Sequence, residues 1–439
     1  MSWEVVLLVI FGALILLLAT GIPVAFAFMS INILGALLVW GGSDPIGQFV
    51  LSVYASIAKF ALVPVPLFLL MGEVMFHSGV AFKMMAALDR WIGKIPGRLS
   101  LLAVAGGTVF ATLSGSSMAS TAMLGSVLVP EMQSKGYSTS LCVGPILGAG
   151  TLAIMIPPTS LGVLLASLAQ VNVGNLLMAI IVPGLMMAAA FTIYIIVISL
   201  VKPGMAPRYE APPVSWRVRV KEMLLYVVPL FLIIFLVIGS MLLGFATPNE
   251  AAALGAVGCI ALAVIYHKGI SWGIVKNTLG GTVKVSGMML FIVAGSTAFS
   301  QILTFTGATQ ELVKFAASVD IPTLGIVILM QIVLLLLGMF MEPLSILMVT
   351  LPLYIPVATA LDVDLIWFCA LTLLNMEMGA ISPPFGLSLF VMKGIMGDRA
   401  TMGEIYRGSL PFIALDALVM SLMLFIPATV LWLPGLVGG

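Results

Sequence analysis

Ile156-Pro157-Pro158-Thr159-Ser160 interrupts one long apolar run of this chain, and Ser382-Pro383-Pro384-Phe385-Gly386 interrupts another in its second half. Two adjacent prolines remove two backbone donors and clash with the preceding turn, so a straight helix through either pair is implausible. A kinked packing helix could also contain such a pair. The repetition at matching positions instead favours discontinuous helices, which are the best sequence indication of a transporter's midplane site.

The offset from Pro157 to Pro383 also relates other features of the two halves. The same offset takes Pro130 to Pro356 and Ser116 to Glu342. Proline is frequent in membrane helices, so coincidence is the alternative. We expect a first membrane repeat over 1–201 with a helical hairpin near 113–134, and a second over 223–439 with a hairpin near 338–360.

The composition places the chain in a membrane. Of 439 residues, 62% are hydrophobic and only 8% are charged, against about 25% charged in soluble domains. This amount of apolar sequence suffices for at most roughly thirteen spans of about 20 residues. Long unbroken apolar runs exclude a transmembrane barrel, which needs alternation. A net charge of +1 excludes a nucleic-acid surface. The fold class predicted is an all-α polytopic membrane protein.

Basic residues predict the topology. The linker 202–222 contains five of them and is expected in the cytoplasm by the positive-inside rule, and three further basic groups agree with this side. Four segments without Lys or Arg are expected outside: 41–47, 171–175, 244–250 and 361–366. Glu4 and the absence of a basic start favour a retained first span over 3–20 rather than a signal peptide.

The segment Ser114-Gly115-Ser116-Ser117 interrupts a further apolar run. A serine in a membrane helix often bonds back to a carbonyl one turn earlier, but glycine among three serines favours an unwound turn or a re-entrant tip. Such backbone is tolerated at membrane depth only inside protein or beside water. Its hydroxyls and carbonyls suit a small cation, and helix N-terminal amides there suit a carboxylate equally well. The segment Gly148–Thr151, together with Ile156–Ser160, is expected to give the second break of the first half.

Acidic residues inside apolar runs are the remaining polar candidates. An ionised carboxylate at mid-membrane costs about 2.5–3.5 kcal/mol, so it should face a cavity or a partner. Glu342 is the strongest candidate and Glu377 follows. Glu73 and Asp416 could pair with a lysine or the backbone, and Lys59 could neutralise one of these acids. Cys142, Cys259 and Cys369 are expected to be small buried hydrophobes, and no catalytic metal motif is present.

Taken in order, several motifs resemble the large membrane subunit of tripartite ATP-independent periplasmic (TRAP) transporters over essentially the whole chain. Each motif is weak alone, but the complete series is specific. The motifs are Pro66-Leu67-Phe68-Leu69-Leu70-Met71-Gly72-Glu73, Leu113–Ser117 with Pro130-Glu131-Met132 and Gly136-Tyr137, Ile156-Pro157-Pro158, Ala246-Thr247-Pro248-Asn249-Glu250-Ala251-Ala252-Ala253, and Ser382-Pro383-Pro384-Phe385-Gly386.

The resemblance implies a fold of two inverted repeats with re-entrant hairpins, working as a sodium-coupled elevator transporter in the bacterial inner membrane. It implies two partners, a small four-helix membrane subunit and a periplasmic substrate-binding protein. It implies Na⁺ as the coupling ion, no organic cofactor and no enzymatic activity. The substrate class implied is an organic acid such as a C4-dicarboxylate or sialic acid.

The resemblance also assigns site residues. The implied substrate-binding residues are Ser114, Ser116, Thr159, Glu342 and Ser382. The implied Na⁺ candidates are Ser114, Gly115, Ser117, Gly150, Thr151, Pro157, Asn375, Gly379 and Pro383. Thr159, Ser382, Asn249 and Glu342 depart from the commonest family residues. The longer side chain of Glu342, where Asp is common, affects the site geometry most.

Other functions remain open at the level of sequence. The nearest alternative is a binding-protein-independent carboxylate or ion transporter with a related two-hairpin fold, which neighbouring genes would distinguish. An intramembrane enzyme would need acid/base or metal clusters near the headgroups. A membrane scaffold would not need two matched, costly breaks.

Overall fold

The computed structural model describes residues 3–20, 22, 24–39, 44–93, 95–114, 116–207, 214–267 and 271–437. All regular elements within these ranges are helical, in agreement with the predicted fold class. The helices of the first half are α1 (Trp3–Ala19), α2 (Val24–Val39), α3 (Pro45–Ile57), α4 (Pro64–His77), α5 (Val80–Ile92), α6 (Arg98–Ser114), α7 (Ser117–Ser134), α8 (Thr139–Met155), α9 (Ser160–Leu168), α10 (Val173–Ala179) and α11 (Ile181–Val201).

The linker and the second half contain a matching series. Its helices are α12 (Trp216–Glu222), α13 (Val228–Leu242), α14 (Pro248–His267), α15 (Trp272–Phe305), α16 (Ala308–Ser318), α17 (Thr323–Gly338), α18 (Pro343–Ala360), α19 (Leu365–Ala380), α20 (Leu387–Met396), α21 (Met402–Phe425) and α22 (Ala428–Val437). Short 3₁₀ turns lie at Phe60–Leu62, Pro203–Met205 and Gly397–Arg399, and a π-helical segment at Met223–Val227.

Seven helical segments of the described chain are long and apolar enough to cross a membrane, and the bent pair α8–α9 would make an eighth. Other apolar helices are shorter, such as α17 with 16 residues. At 1.5 Å per residue such a helix reaches about 24 Å, which is less than a hydrocarbon core of about 30 Å. Part of the apolar sequence therefore forms helices that are shorter than one membrane crossing.

The two halves each contain a helical hairpin and a broken helix. Several helix ends of the first half recur in the second half at the same number of residues that separates Pro157 from Pro383. This offset takes both ends of α7 to the corresponding ends of α18, and it takes the start of α8 to the start of α19. Each hairpin includes an arm that precedes the range predicted for it, because α6 and α17 lead into the two tips. The division of the chain at 201 and 223 stays a prediction.

One part of the second predicted break is wrong, whereas its proline pair does end α8. Gly148–Thr151 lies inside α8, and the helix ends only at Met155, before the first proline pair. The helix tolerates the small residues because they are packed: the ring of Phe412 on α21 lies against both Gly144 and Gly148. The glycines here allow close helix contact rather than an unwound turn.

The centre of the fold is formed by α8 and α19. Nearly every side chain of both helices is buried, and the two contact each other. Each is covered by the hairpin of its own half, since α8 contacts α6 and α7 while α19 contacts α17 and α18. The hairpins also reach the opposite half, because α7 contacts α20 and α18 contacts α9. Both hairpins are thereby held against the broken helices.

The described end of the linker packs on α5. Arg90 forms an ion pair with Glu222, the Trp91 indole donates to the Arg219 carbonyl at 3.1 Å, and the Trp91 and Trp216 ring centroids are 5.1 Å apart. Arg208 lies outside the described residues. The cytoplasmic location of the linker stays a prediction.

Candidate functional site

The first hairpin tip is capped by a hydroxyl. Ser116 is the N-cap of α7, and its hydroxyl accepts a 3.4 Å hydrogen bond from the Ala119 amide. An N-cap serine satisfies one of the amides that a helix start leaves free. Gly115 and the Ser114 side chain, both predicted site groups, lie outside the described residues. The described part of the tip therefore consists of Ser116 and Ser117.

The first tip packs against α8 through oxygen atoms. A methyl group on Gly150 would lie 2.5 Å from the Thr121 hydroxyl oxygen and 3.2 Å from the Ser117 carbonyl oxygen. The Thr121 hydroxyl is fully buried and has no hydrogen-bond partner among the described residues. The structure thus brings the Na⁺ candidates Ser117 and Gly150 together, and it adds Thr121 between them.

The second tip packs against α19 through backbone. A methyl group on Gly379 would lie 2.7 Å from the Gly338 Cα atom, so α17 and α19 touch where one ends and the other approaches its break. Glu342 is the partly exposed N-cap residue of α18, and its side chain makes no capping hydrogen bond. Its carboxylate stands at a helix N-terminus, where the helix dipole favours negative charge.

The second tip also meets the second break. The Phe340 and Phe385 ring centroids are 5.2 Å apart. The Ser382 hydroxyl donates to the Met378 carbonyl at 2.7 Å, and the Tyr406 hydroxyl donates to the Pro384 carbonyl at 2.7 Å. The peptide bonds within both proline pairs, including Pro383-Pro384, are cis. Glu342 and Ser382 therefore belong to neighbouring segments.

The first break is enclosed by protein. Thr159 is fully buried, and its hydroxyl accepts a 3.4 Å hydrogen bond from the Gly162 amide as the N-cap of α9. The Thr151 hydroxyl is also buried and donates to the Gly148 carbonyl at 2.8 Å. Both hydroxyls have local structural roles in this conformation. Their predicted ligand contacts stay predictions.

A buried amide pair fixes α17 against α19. The Asn375 amide nitrogen donates to the Gln331 carbonyl at 2.7 Å and to its side-chain oxygen at 2.8 Å. The Asn375 side-chain oxygen and the Gln331 side-chain nitrogen are left without partners in the described structure. The Na⁺ candidate Asn375 thus keeps a free, buried oxygen.

Two fully buried carboxylates lie on neighbouring helices of the second half. Glu377 on α19 and Asp416 on α21 are close enough to interact electrostatically, and the Ser117 hydroxyl faces Glu377. None of their four oxygens has a partner of good hydrogen-bond geometry among the described residues. The Ser117–Glu377 contact joins the first tip to the central helix of the second half.

The remaining candidates from the sequence are Glu73, Lys59 and the three cysteines. The Glu73 carboxylate lies 3.2 Å from His77 Nδ1. Lys59 forms no ion pair within the described structure, so the proposed neutralisation of an acid by Lys59 is wrong for this conformation. Cys142, Cys259 and Cys369 are free and buried, as expected.

Sequence reasoning missed Thr121 and Gln331, and it singled out Gly338 only as the start of the interruption Gly338–Pro343, not as a contact of Gly379. Thr121 follows the tip serines by about one helical turn, which was a usable signal. Gln331 is an amide in an apolar run, a second signal of the kind that pointed to Glu377. Nothing in the sequence signals the approach of Gly338 to Gly379, because it depends on how two distant helices cross.

Comparisons with known proteins identify the family. The family model described as tripartite ATP-independent periplasmic transporter, DctM component, matches residues 11–429. The chain belongs to this family. It is 32% identical to the C4-dicarboxylate TRAP transporter large permease protein DctM of Rhodobacter capsulatus, over 98% of this chain and 99% of that protein.

A second TRAP relative is a longer protein. The isethionate TRAP transporter permease protein DctMQ of Oleidesulfovibrio alaskensis is 27% identical over 97% of this chain, which covers 66% of that protein. Among solved structures, the Alcanivorax borkumensis YdaH transporter aligns with a TM-score of 0.65 at 14% identity, covering 87% of this chain and 88% of that one. The latter similarity shows a shared fold. Its family membership makes the chain a TRAP transporter large permease, which is a transport protein rather than an enzyme.

Proposed function

We propose that this TRAP large permease carries out Na⁺-coupled uptake of a small organic acid. In this proposal a periplasmic binding protein delivers the substrate, and a small four-helix membrane subunit supports the permease in the bacterial inner membrane. The observation that carries the proposal is a set of buried oxygens without partners beside the hairpin tips and helix breaks: Thr121 Oγ1, Ser160 Oγ, Asn375 Oδ1, both Glu377 carboxylate oxygens and Ser388 Oγ.

These oxygens fit a hard monovalent cation. Burying a polar atom without a partner costs about 1–3 kcal/mol, and such a cost is expected to be recovered by a ligand. Hydroxyl, amide and carbonyl oxygens are the ligands that hard cations prefer. The described residues contain no group of three or more His, Cys, Asp or Glu side chains that could hold a metal. Thr121, Ser117 and Gly150 would bind Na⁺ at the first tip, and Asn375 and Gly379 at the second.

Helix ends supply the complementary anion site. The N-termini of α7 and α18 carry partial positive charge, and helix starts at breaks bind substrate carboxylates in other transporters. Ser116 adds a neutral hydroxyl at the first of these ends. At the N-cap position itself, a carboxylate would bind more readily beside the neutral Ser116 than beside Glu342, which already supplies negative charge.

Coupling follows from charge. Each elementary charge that moves inward gains about 2.3 kcal/mol per 100 mV. Na⁺ ions in excess of the substrate charge would drive accumulation without nucleotide hydrolysis. In the proposed elevator mechanism, the hairpins and broken helices carry both ligands across together.

Reconstitution tests the proposal. The permease, with its small membrane subunit and binding protein in liposomes, is expected to take up substrate only with an inward Na⁺ gradient. Uptake driven equally by a proton gradient alone would contradict sodium coupling and would implicate Glu342 as a proton carrier. An unchanged Na⁺ response in Ser116→Ala would remove Ser116 from the site.

A matched pair of threonines sharpens the test. Thr121→Val removes an unpaired buried hydroxyl at the tip, whereas Thr278→Val removes an equally unpaired buried hydroxyl on α15. Loss of one charge-assisted contact of about 1.5 kcal/mol corresponds to a rise of roughly tenfold in the Na⁺ concentration for half-maximal uptake. We expect that rise for Thr121→Val alone. Equal effects of both variants would contradict a Na⁺ site at Thr121.

A further inference from the structure

A cavity of about 630 Å³ lies away from both tips, between α15, the C-terminal half of α18 and the turn after α9. We call it the outer cavity. Its polar lining consists of Lys59, Gln170, Ser296, Thr297, Ser300 and Thr359. Helix α18 has its N-terminus at the Glu342 tip, and the cavity borders Leu351 to Ala360 at the other end. At 1.5 Å per residue, Thr359 is about 24 Å along the helix from that tip.

The charge of the lining is one-sided. Lys59 is the single ionisable side chain that borders the outer cavity within the described structure. It is half-buried and has no ion-pair or hydrogen-bond partner among the described residues. A cation that is partly withdrawn from water and left unpaired attracts an anion more strongly than an exposed lysine, because the effective dielectric constant around it is lower.

The hydrogen-bonding groups of the lining complement that charge. Ser296, Thr297 and Ser300 line the cavity from one helix, α15, and hydroxyls donate readily to carboxylate oxygens. Gln170 has a φ of +57° in the turn that ends α9, at a position where glycine usually stands. Glutamine there accepts a less favourable backbone and adds an amide to the lining.

The remaining lining is apolar, from residues that include Leu168, Leu351, Ile355 and Leu365. One cationic end and one apolar wall fit a small organic molecule with an anionic headgroup. The lining residue Leu365 belongs to the segment 361–366, and Gln170 directly precedes the segment 171–175. Both segments are among those predicted to lie outside. A substrate released by a periplasmic protein would meet this cavity before the tips.

We propose that the outer cavity is an external binding site for the anionic headgroup of a small organic acid, with Lys59 as its recognition residue. The inference rests on the proposed uptake function, because it describes the step before the substrate reaches the tips. It requires neither Na⁺ coupling nor the elevator motion.

Charge-selective labelling tests the site without knowledge of the natural substrate. Ser300→Cys places a thiol in the lining, while the three native cysteines are buried. The full complex in spheroplasts is labelled with membrane-impermeant methanethiosulfonate reagents, one carrying a sulfonate and one a trimethylammonium group. The measured quantity is the ratio of the sulfonate labelling rate to the trimethylammonium labelling rate. We expect this ratio to fall about tenfold when Lys59→Gln is added, because the charge of Lys59 acts on the reagents through a low effective dielectric constant.

Two lysine variants provide the controls. Lys59→Arg keeps the charge and should retain the ratio. Lys314→Gln removes an exposed lysine that is paired with Glu311, and it should also leave the ratio unchanged. A ratio unaffected by Lys59→Gln, or labelling only when reagent reaches the cytoplasmic face, would overturn the proposal.

Protection from labelling by a bound ligand distinguishes a binding site from a site that only attracts anions. Succinate should slow labelling of Ser300→Cys, its neutral diamide succinamide should not, and the succinate effect should disappear in the Lys59→Gln background. A charge effect without succinate protection would overturn the binding site. Sodium independence of uptake would contradict the proposed function while leaving these labelling results intact, so the two failures are distinguishable.

Discussion

The two hairpin tips share helix bounds but differ in how they meet the central helices. In the second half, α17 touches α19 at Gly338 and Gly379, directly beside the tip and the break. In the first half, α6 lies close to α8 at Gly107 and Ala149, about two turns before the tip. We call the contact of α17 and α18 with α19 the second junction, and the contact of α6 and α7 with α8 the first junction. The second junction is closed by backbone atoms, whereas at the first the tip contacts the central helix mainly through side chains.

Their polar chemistry differs accordingly. Around the first tip the structure places hydroxyls and carbonyls, with Thr121 and Ser117 beside Gly150. Around the second it places a carboxylate, Glu342, and an amide pair, Asn375 and Gln331. A shared backbone plan therefore supports a tip with a neutral N-cap residue, Ser116, and a tip with an acidic one, Glu342. The difference suits a transporter that must bind an anion together with cations.

The largest expected effect on stability distinguishes the junction closed by backbone atoms from the junction closed by side chains. Gly379→Ala would press a methyl group against the Gly338 backbone, and Gly150→Ala would press one against the Thr121 hydroxyl. A backbone cannot rotate away, so Gly379→Ala should lower the free energy of unfolding by about 3 kcal/mol, the upper end for overpacking. Gly150→Ala should cost about 1 kcal/mol.

Thermal unfolding of the purified variants in detergent measures this difference. Adding Thr121→Ala should recover most of the loss in Gly150→Ala, because the side chain that meets the new methyl group is gone. No partner substitution at Gly338 can relieve Gly379→Ala. Equal losses in the two glycine variants would contradict the contrast between the junctions.

Local features of both junctions were predictable from sequence. The proline pairs located the breaks, and the serines of the first tip and Glu342 located the turns, because each interrupts an apolar run. Gly148–Thr151 shows the limit of this reasoning. Small residues permit either an unwound turn or close packing, and the choice depends on Phe412, which belongs to a helix of the other half. The pairing of Asn375 with Gln331 and the Ser117–Glu377 contact depend on helix crossings in the same way.

The next effect concerns the amide pair of the second junction. Asn375→Ala removes the donor to two Gln331 oxygens and leaves the buried side-chain oxygen unsatisfied, which costs about 1–3 kcal/mol. We expect a loss of about 2 kcal/mol in thermal unfolding. For comparison, Thr151→Val on the central helix of the first half removes only a bond to a carbonyl one turn away and should cost less than about 1 kcal/mol.

A double-mutant cycle shows whether the amide pair acts as a unit. If Asn375 and Gln331 stabilise the junction through their mutual bond, Gln331→Ala should add less in the Asn375→Ala background than alone, by about 0.5 kcal/mol or more. Additive losses would mean that the two side chains contribute separately. The second junction would then resemble the first more than its geometry indicates.

The smallest effect concerns the capping of the tips. Ser116→Ala should cost about 1 kcal/mol, because the Ala119 amide loses its acceptor. Glu342→Gln should cost only about 0.3–1 kcal/mol, since Glu342 makes no capping bond and loses only its interaction with the dipole of α18. Salt distinguishes the two effects further. About 1 M KCl screens the charge of the partly exposed Glu342 but does not weaken the hydrogen bond of the Ser116 hydroxyl. Unfolding midpoints at low and high KCl should therefore converge for wild type and Glu342→Gln, while the deficit of Ser116→Ala persists. Convergence of both variants would mean that the two tips are stabilised by charge alike, and that the neutral tip is not distinct from the acidic one.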